Sequence, residues 1–390
     1  MTNNSSKTKL PEQGFVFWPV GTGDSTTVCV KDGIVMQVDL HHLSEAGEGD
    51  DPHTPIVDRL VALLPEDDGK PSLAVFVLTH PDEDHCLGFK DLLKRVKIGE
   101  IWFTPRVFRE YSKDLSDDAK AFRAEAKRRV KQTIDAKGEA DSGDRVRIIG
   151  YDDLLKEEEY EGFPSDRLTV PGSSIVELDG EDCSSDFTAF VHAPFKDDSS
   201  GERNDTSVAL QVTLRSGDAA GRAFLLGDLS YPTIKRIFEK SKAEDLAWDV
   251  FLTPHHCSKS VMYWKEEDEE EEKLKQDILD AIEKAASENG YIVASCEPIP
   301  ASNEPGDNPP HARAKHRYEE IAPVGFLCTQ EHPNEKEPEP IVFSLEDGGL
   351  DYSEPEGKRA PAKKSLAGAA AVARGSDEPP AKRVGFGREA

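Results

Sequence analysis

Six consecutive residues, His80, Pro81, Asp82, Glu83, Asp84 and His85, put four metal-binding side chains into one turn. The turn follows the apolar run 73–78 and precedes Cys86-Leu87-Gly88. Positions 80, 82 and 84 alternate and can face one way, with His85 turning back beside them. One such loop can supply ligands to two adjacent divalent ions, and two-metal sites are one solution for hydrolysis. Polar loops are ordinary at strand ends, but three later stretches repeat the same grammar of apolar run and ligand. They end in His192-Ala193-Pro194, in Gly227-Asp228, and in Pro254-His255-His256-Cys257-Ser258-Lys259.

Strands must position these ligands. Apolar or β-branched runs predict them over 15–20, 26–30, 34–40, 73–79, 98–104, 174–178, 187–192, 207–214, 222–226 and 291–296. Val20-Gly21-Thr22-Gly23-Asp24-Ser25 makes a tight turn between the first two. Thr54-Pro55 opens a helix with Ile56, Leu60, Leu63 and Leu64 on one face. Residues 105–172 read as a helical insertion. Its helix starts at Ser116 and turns Phe122, Ala126, Val130 and Ile134 inward. The other faces hold Lys120, Arg123, Lys127, Arg128, Arg129 and Lys131, either a solvated surface or a contact for a phosphate backbone. The acidic run 266–272 reads as a solvated loop, a helix start or a protein contact, ahead of a helix facing inward with Leu274, Ile278 and Ile282.

The 390 residues carry a net charge of −28, which repels nucleic acid at long range unless a local basic patch or metals offset it. The apolar runs are strand-sized, so no membrane span is expected, and the polar start lacks a signal-peptide core. Six scattered cysteines without a CxxC pair suggest reduced thiols and a cytoplasmic location. The expected organisation is a disordered 1–13, one hydrolase domain over 14–345, and a disordered low-complexity tail over 346–390. Within that tail, 357–390 holds eight Lys/Arg against three Asp/Glu. Oligomeric state is not legible.

In their order, these motifs resemble the metallo-β-lactamase superfamily, and within it the hydrolase domain of ComEC-type DNA-uptake proteins and their free-standing relatives. The resemblance rests on the VGTGDS turn at 20–25, HPDEDH at 80–85, HAP at 192–194 and NDTS at 204–207. GD at 227–228, HHCS at 255–258 and GDNPPH at 306–311 complete it. Cys257 stands where the family has glycine. The resemblance implies an α/β fold, the αββα four-layer sandwich with metal loops along one edge. It implies His80, Asp82 and His192 on a first metal, and Asp84, His85 and one of His255 or His256 on a second. Asp228 would bridge the two. It offers Lys259, Asn308 and His311 for the scissile group, and Asn204, Ser207 and Ser258 for substrate contact. The basic helix, which has no counterpart in the family, adds Lys127, Arg128 and Arg129 as candidate substrate contacts.

The cofactors expected are two divalent ions, zinc or manganese, since Asp82 adds a hard oxygen ligand. The function expected is a binuclear phosphodiesterase or nuclease, with Asp84 orienting a hydroxide that bridges the metals. The alternatives are a hydrolase of a small ester, lactone or thioester, and a non-catalytic binding module. The partner expected is a phosphodiester substrate, nucleic acid or nucleotide; the acidic surface also suits a protein, and no membrane is involved.

Overall fold

The computed structural model describes residues 9–200, 203–266 and 268–354. The strands of the two large sheets are β1 (Gly14–Phe17), β2 (Thr26–Lys31), β3 (Ile34–Val38), β4 (Glu66–Asp67), β5 (Lys70–Val77), β6 (Lys97–Phe103), β7 (Arg145–Ile149) and β8 (Leu168–Thr169). After them come β9 (Ser174–Ile175), β10 (Phe187–Ala193), β11 (Ala209–Ser216), β12 (Ala219–Leu225), β13 (Trp248–Leu252), β14 (Ala286–Ala294) and β15 (Gly325–Cys328). Last are β16 (Ile341–Glu346) and β17 (Gly349–Tyr352).

One sheet runs β17-β16-β1-β2-β3-β5-β6-β7-β8, with β4 pairing β5 at its start. The other runs β9-β10-β11-β12-β13-β14-β15. Each changes from antiparallel to parallel along its width. Pairing is parallel from β3 through β5, β6, β7 and β8, and from β12 through β13, β14 and β15. Parallel neighbours bring their C-terminal ends to one edge, where ligands of α/β sheets collect.

Strand alternation builds the layers. Val75 and Val77 point between the sheets and meet Leu210, Val212 and Val250 from the other side. Phe76 and Leu78 point outward, onto the helices α1 (Ile56–Leu63), α3 (Phe89–Arg95) and α4 (Asp117–Asp135). Phe76, Phe89 and Phe122 form a trio with ring centroids 4.9–6.0 Å apart, which pins two helices to the sheet. On the far side Phe224, Trp248 and Phe251 pack against α5 (Tyr231–Lys240), α6 (Gln276–Ala285) and α7 (Ala312–Ile321). A short helix α2 (Glu83–Cys86) closes the 80–85 loop. The result is the four-layer αββα sandwich.

Two details differ from the sequence reading. The segment 105–172 is not purely helical, because β7 and β8 extend the first sheet. Residues 346–352 belong to the β16–β17 hairpin. Residues 1–8 and 355–390, where most of the two expected disordered ends fall, lie outside the described residues. Among the described residues no helix is long and apolar enough to cross a membrane.

Candidate metal centre

Strand ends from both sheets deliver the centre. β5 runs on through Thr79 into the 80–85 loop. Asp39 follows β3 in the left-handed region, φ +55°, which aspartate tolerates better than most residues. Its Oδ1 accepts from the Thr79 amide at 2.8 Å and its Oδ2 from the Thr79 hydroxyl at 2.6 Å. The same Oδ2 accepts from His85 Nδ1 at 2.8 Å. Because the Thr79 hydroxyl spends its proton on Asp39, it accepts from His80 Nδ1 at 3.1 Å. The Ser295 carbonyl accepts from His256 Nδ1 at 3.2 Å. Each ring is therefore oriented through Nδ1 and presents Nε2, which is how metal-binding histidines are usually held.

Those three Nε2 atoms, with Oδ1 of Asp228 and of Asp24, are buried and have no hydrogen-bond partner. Buried polar atoms are seldom left so, because the cost is a lost hydrogen bond each. Asp228 stands among them. Its Oδ1 lies 3.1 Å from His85 Nε2 and 3.5 Å from His256 Nε2. Its Oδ2 lies 3.7 Å from His80 Nε2 and 3.7 Å from His255 Nε2. Asp84 Oδ2 is 3.2 Å from His256 Nε2, and Asp82 Oδ2 is 3.5 Å from His80 Nε2. One carboxylate thus separates two donor groups: His85, His256 and Asp84 on one side, His80, His255 and Asp82 on the other. Asp24, His85, Asp228 and His256 alone offer four ligand atoms within 4.8 Å of one another. Mixed imidazole and carboxylate donors at this spacing fit divalent metal.

The backbone that permits this is strained. Gly227 has φ +52°, and a Cβ there would sit 2.8 Å from Ser207 Cβ, so only glycine lets Asp228 approach Ser207, just ahead of β11. His255, His256 and Cys257 follow one another at φ +50°, +51° and +65°. Left-handed backbone costs roughly 1–2 kcal/mol per L-residue, strain of a kind found at functional sites. Cys257 takes the left-handed turn that glycine would take freely. His311 holds this loop: its amide donates to the Cys257 carbonyl, and its Nδ1 accepts from the Lys259 amide at 3.3 Å.

Charge explains the ring chemistry. Burial alone would raise the Asp228 carboxyl, but the His256 and His85 rings outweigh it and hold it well below the usual range. Burial alone would lower His85, yet Asp228, Asp39 and Asp84 push it well above the ordinary imidazole value. His256 is likewise raised, against burial, by Asp228 and Asp24. The cluster carries more carboxylate than its surroundings neutralise, and positive charge, as proton or metal, is what it attracts.

Several sequence-derived assignments find other places. His192 is not at the centre: its Nδ1 pairs with Ser241 Oγ at 2.9 Å and its Nε2 with the Asp245 carbonyl at 3.0 Å, beside Phe190 and Phe224. His255 stands where His192 was expected, and both members of the 255–256 pair face Asp228. Lys259 is tied to Glu272 at 3.0 Å, so the acidic run neutralises cations and is not a bare solvated loop. Asn308 is exposed, and it is Asn303 that braces the loop, through the Pro310 carbonyl and the Ala312 amide. Ser207 is fully buried and accepts from the Asp228 amide at 3.3 Å while donating to the Asn204 carbonyl. Ser258, also buried, caps the following turn by accepting from the Ser260 amide. Neither serine is open to substrate. On α4, Arg129 is 2 % exposed and donates to the Ile98, Gly99 and Arg145 carbonyls. Arg128 is paired with Glu125 and Asp144, and Lys127 lies over the Phe108 ring. Arg129 is thus spent inside the fold, whereas Lys127 and Arg128 stay exposed, the latter with its charge paired.

Three residues at the centre escaped the sequence reading. Asp24 lies in the VGTGDS turn, where neither the glycines nor the motif resemblance marks its carboxylate as facing the histidines. Asp39 ends an apolar run as the other ligands do. Arg203, which pairs with Asp82 and, at 3.1 Å, with Glu110, has no local signal.

No family model matches the sequence, and no curated protein does. Solved structures with partial likeness include the metallo-β-lactamase fold protein YhfI from Bacillus subtilis, at 9 % identity and TM-score 0.39 over 85 % of this chain and 99 % of that one. Another is a diphosphatase of the PhnP family, at 11 % and 0.33 over 83 % and 85 %. A third is the class B3 di-zinc metallo-β-lactamase LRA-12 from an Alaskan soil metagenome, at 11 % and 0.32 over 73 % and 95 %.

Proposed function

We propose that this chain is a binuclear metal-dependent hydrolase of phosphodiesters, of the HxDxDH, ComEC-like type. One observation carries the reading: buried Nε2 atoms of His80, His85 and His256, without hydrogen bonds, gathered about the two oxygens of Asp228. His85, His256 and Asp84 would hold one ion, His80, His255 and Asp82 the other, with Asp228 shared. Divalent ions there supply a Lewis acid for the scissile group and lower the pKa of a nucleophilic water. The chain's own part is orientation. Asp39 fixes His85 directly and His80 through Thr79, and Ser295 fixes His256. Asp84, 36 % exposed at its side chain, is the carboxylate placed to orient an incoming water. Six buried free thiols suit a reducing compartment such as the cytoplasm.

The test is metal analysis of protein reconstituted with zinc or manganese, followed by assay on bis(4-nitrophenyl) phosphate, a lactone and a thioester. Two equivalents and preferential diester cleavage are expected. Preferential cleavage of the lactone or thioester would move the chain to the small-ester reading, and fewer than one equivalent would refute the binuclear one.

A further inference from the structure

Asp82 and Asp84 belong to two features at once. They face the histidines of the centre, and they line an open cavity of about 610 Å³. The buried Nε2 of His256, which makes no hydrogen bond, stands at ion-pair distance from Asp84 Oδ2, 3.2 Å, so the centre and the cavity are contiguous. Beyond the two ligands the lining carries Glu83, Asp114, Asp117 and Asp118, against Lys113 and Arg203. Arg203 is already committed to Asp82 and Glu110. Asp117 has Lys120 at 3.3 Å, and Asp118 accepts from the Lys90 amide at 2.8 Å. Glu83 and Asp114 are exposed and have no ion-pair partner among the described residues. Lys113 is exposed and also has no ion-pair partner among the described residues, but six lining carboxylates outnumber it and Arg203, so the approach to the metals is net negative. A strand of phosphates would meet like charge at each group after the first, which costs affinity even where solvent screens it.

We propose, resting on the hydrolase reading above, that the substrate is a small phosphodiester with one phosphate and a cationic substituent. The phosphate sits at the metal centre, and an ammonium or similar group lies over Glu83 and Asp114. In the reaction a water oxygen forms the new P–O bond and loses a proton to solvent, while the leaving-group oxygen departs with the bonding electron pair and is released as a phenolate or, after taking a proton from solvent, as an alcohol. The product is a phosphomonoester that keeps the cationic arm.

The experiment compares near-isosteric diesters, 2-aminoethyl 4-nitrophenyl phosphate and propyl 4-nitrophenyl phosphate, on the full chain loaded with zinc or manganese. A single-stranded oligonucleotide is the third substrate. Wild type should favour the aminoethyl diester by about tenfold in kcat/KM. Calorimetric titration with the two monoester products should show the same preference in Kd. Asp114→Lys and Glu83→Gln should each bring both ratios toward one, the reversal at Asp114 more so. A wild-type ratio of one or less, ratios unmoved in both variants, or faster cleavage of the oligonucleotide overturns the proposal and leaves the hydrolase reading standing. Absence of turnover on every substrate, with two metals bound, overturns both.

Discussion

At the scale of single residues, Asp228 has the most demanding position, because each of its oxygens faces a different pair of histidines. Asp228→Ala should reduce phosphodiester hydrolysis by about a hundredfold or more through loss of the metal pair. Steady-state rates together with metal content check it. The two donor groups also predict distinct losses. His80→Ala/His255→Ala and His85→Ala/His256→Ala should each leave close to one equivalent of metal, whereas His192→Gln should leave two. Loss of metal in the His192 variant would restore the ligand that the family resemblance implies. His192 makes a second prediction. Burial pushes its imidazole down to about 4, whereas an unfolded histidine titrates near 6.5. The unfolded chain takes up the proton first as pH falls. The stability contribution is therefore whole above about pH 6.5 and is lost progressively toward pH 4, by roughly 3 kcal/mol. Urea midpoints of wild type and His192→Gln, measured at pH 7 and pH 4.5, should diverge in that direction.

At the scale of elements, α4 shows how far local pattern reaches. Its start at Ser116, which accepts from the Ala119 amide, and its inward face of Phe122, Ala126 and Val130 were legible from capping and from 3.6-residue spacing. The fate of its arginines was not. Whether Arg129 meets solvent or three carbonyls depends on where β6 and β7 begin, and nothing within the helix encodes that. Arg129→Ala should therefore cost about 2–4 kcal/mol, since it strands buried carbonyls and removes a charge partner of Glu125. Lys127→Ala should cost under roughly 0.5 kcal/mol. Chemical denaturation of the two variants separates them. The metal loops were legible for a related reason: each is an apolar strand followed at once by ligands, and that is a local signal. His192 has the same local signal and a different destination, because its strand β10 lies beyond β11 and β12 from the histidine pair after β13. Sheet order, which sequence spacing does not reveal, decided which strand ends meet.

At the scale of the molecule, the centre joins the two sheets. His80, Asp82, Asp84 and His85 follow β5 of the first sheet, and Asp228, His255 and His256 follow β12 and β13 of the second. Metal bound there is bound only by the folded chain, so it should stabilise the fold by mass action, about 2.7 kcal/mol at a free concentration one hundred times Kd. A chelator should lower the melting temperature, and metal added back should restore it in a concentration-dependent way. An unchanged melting temperature would mean that the sheets do not depend on the centre.

The pairing of β1 carries one more consequence, for synthesis. Gly14 pairs with Cys29 on one side and with Ser344 on the other. β1 is thus flanked on one side by β16, a strand that lies far later along the chain. At ribosomal speeds of 5–20 residues per second, β1 keeps an unpaired edge for roughly half a minute while the intervening chain is translated. Throughout that interval the nascent chain displays an open template for strand addition, which chaperones must cover or a neighbouring polysome-borne copy can capture.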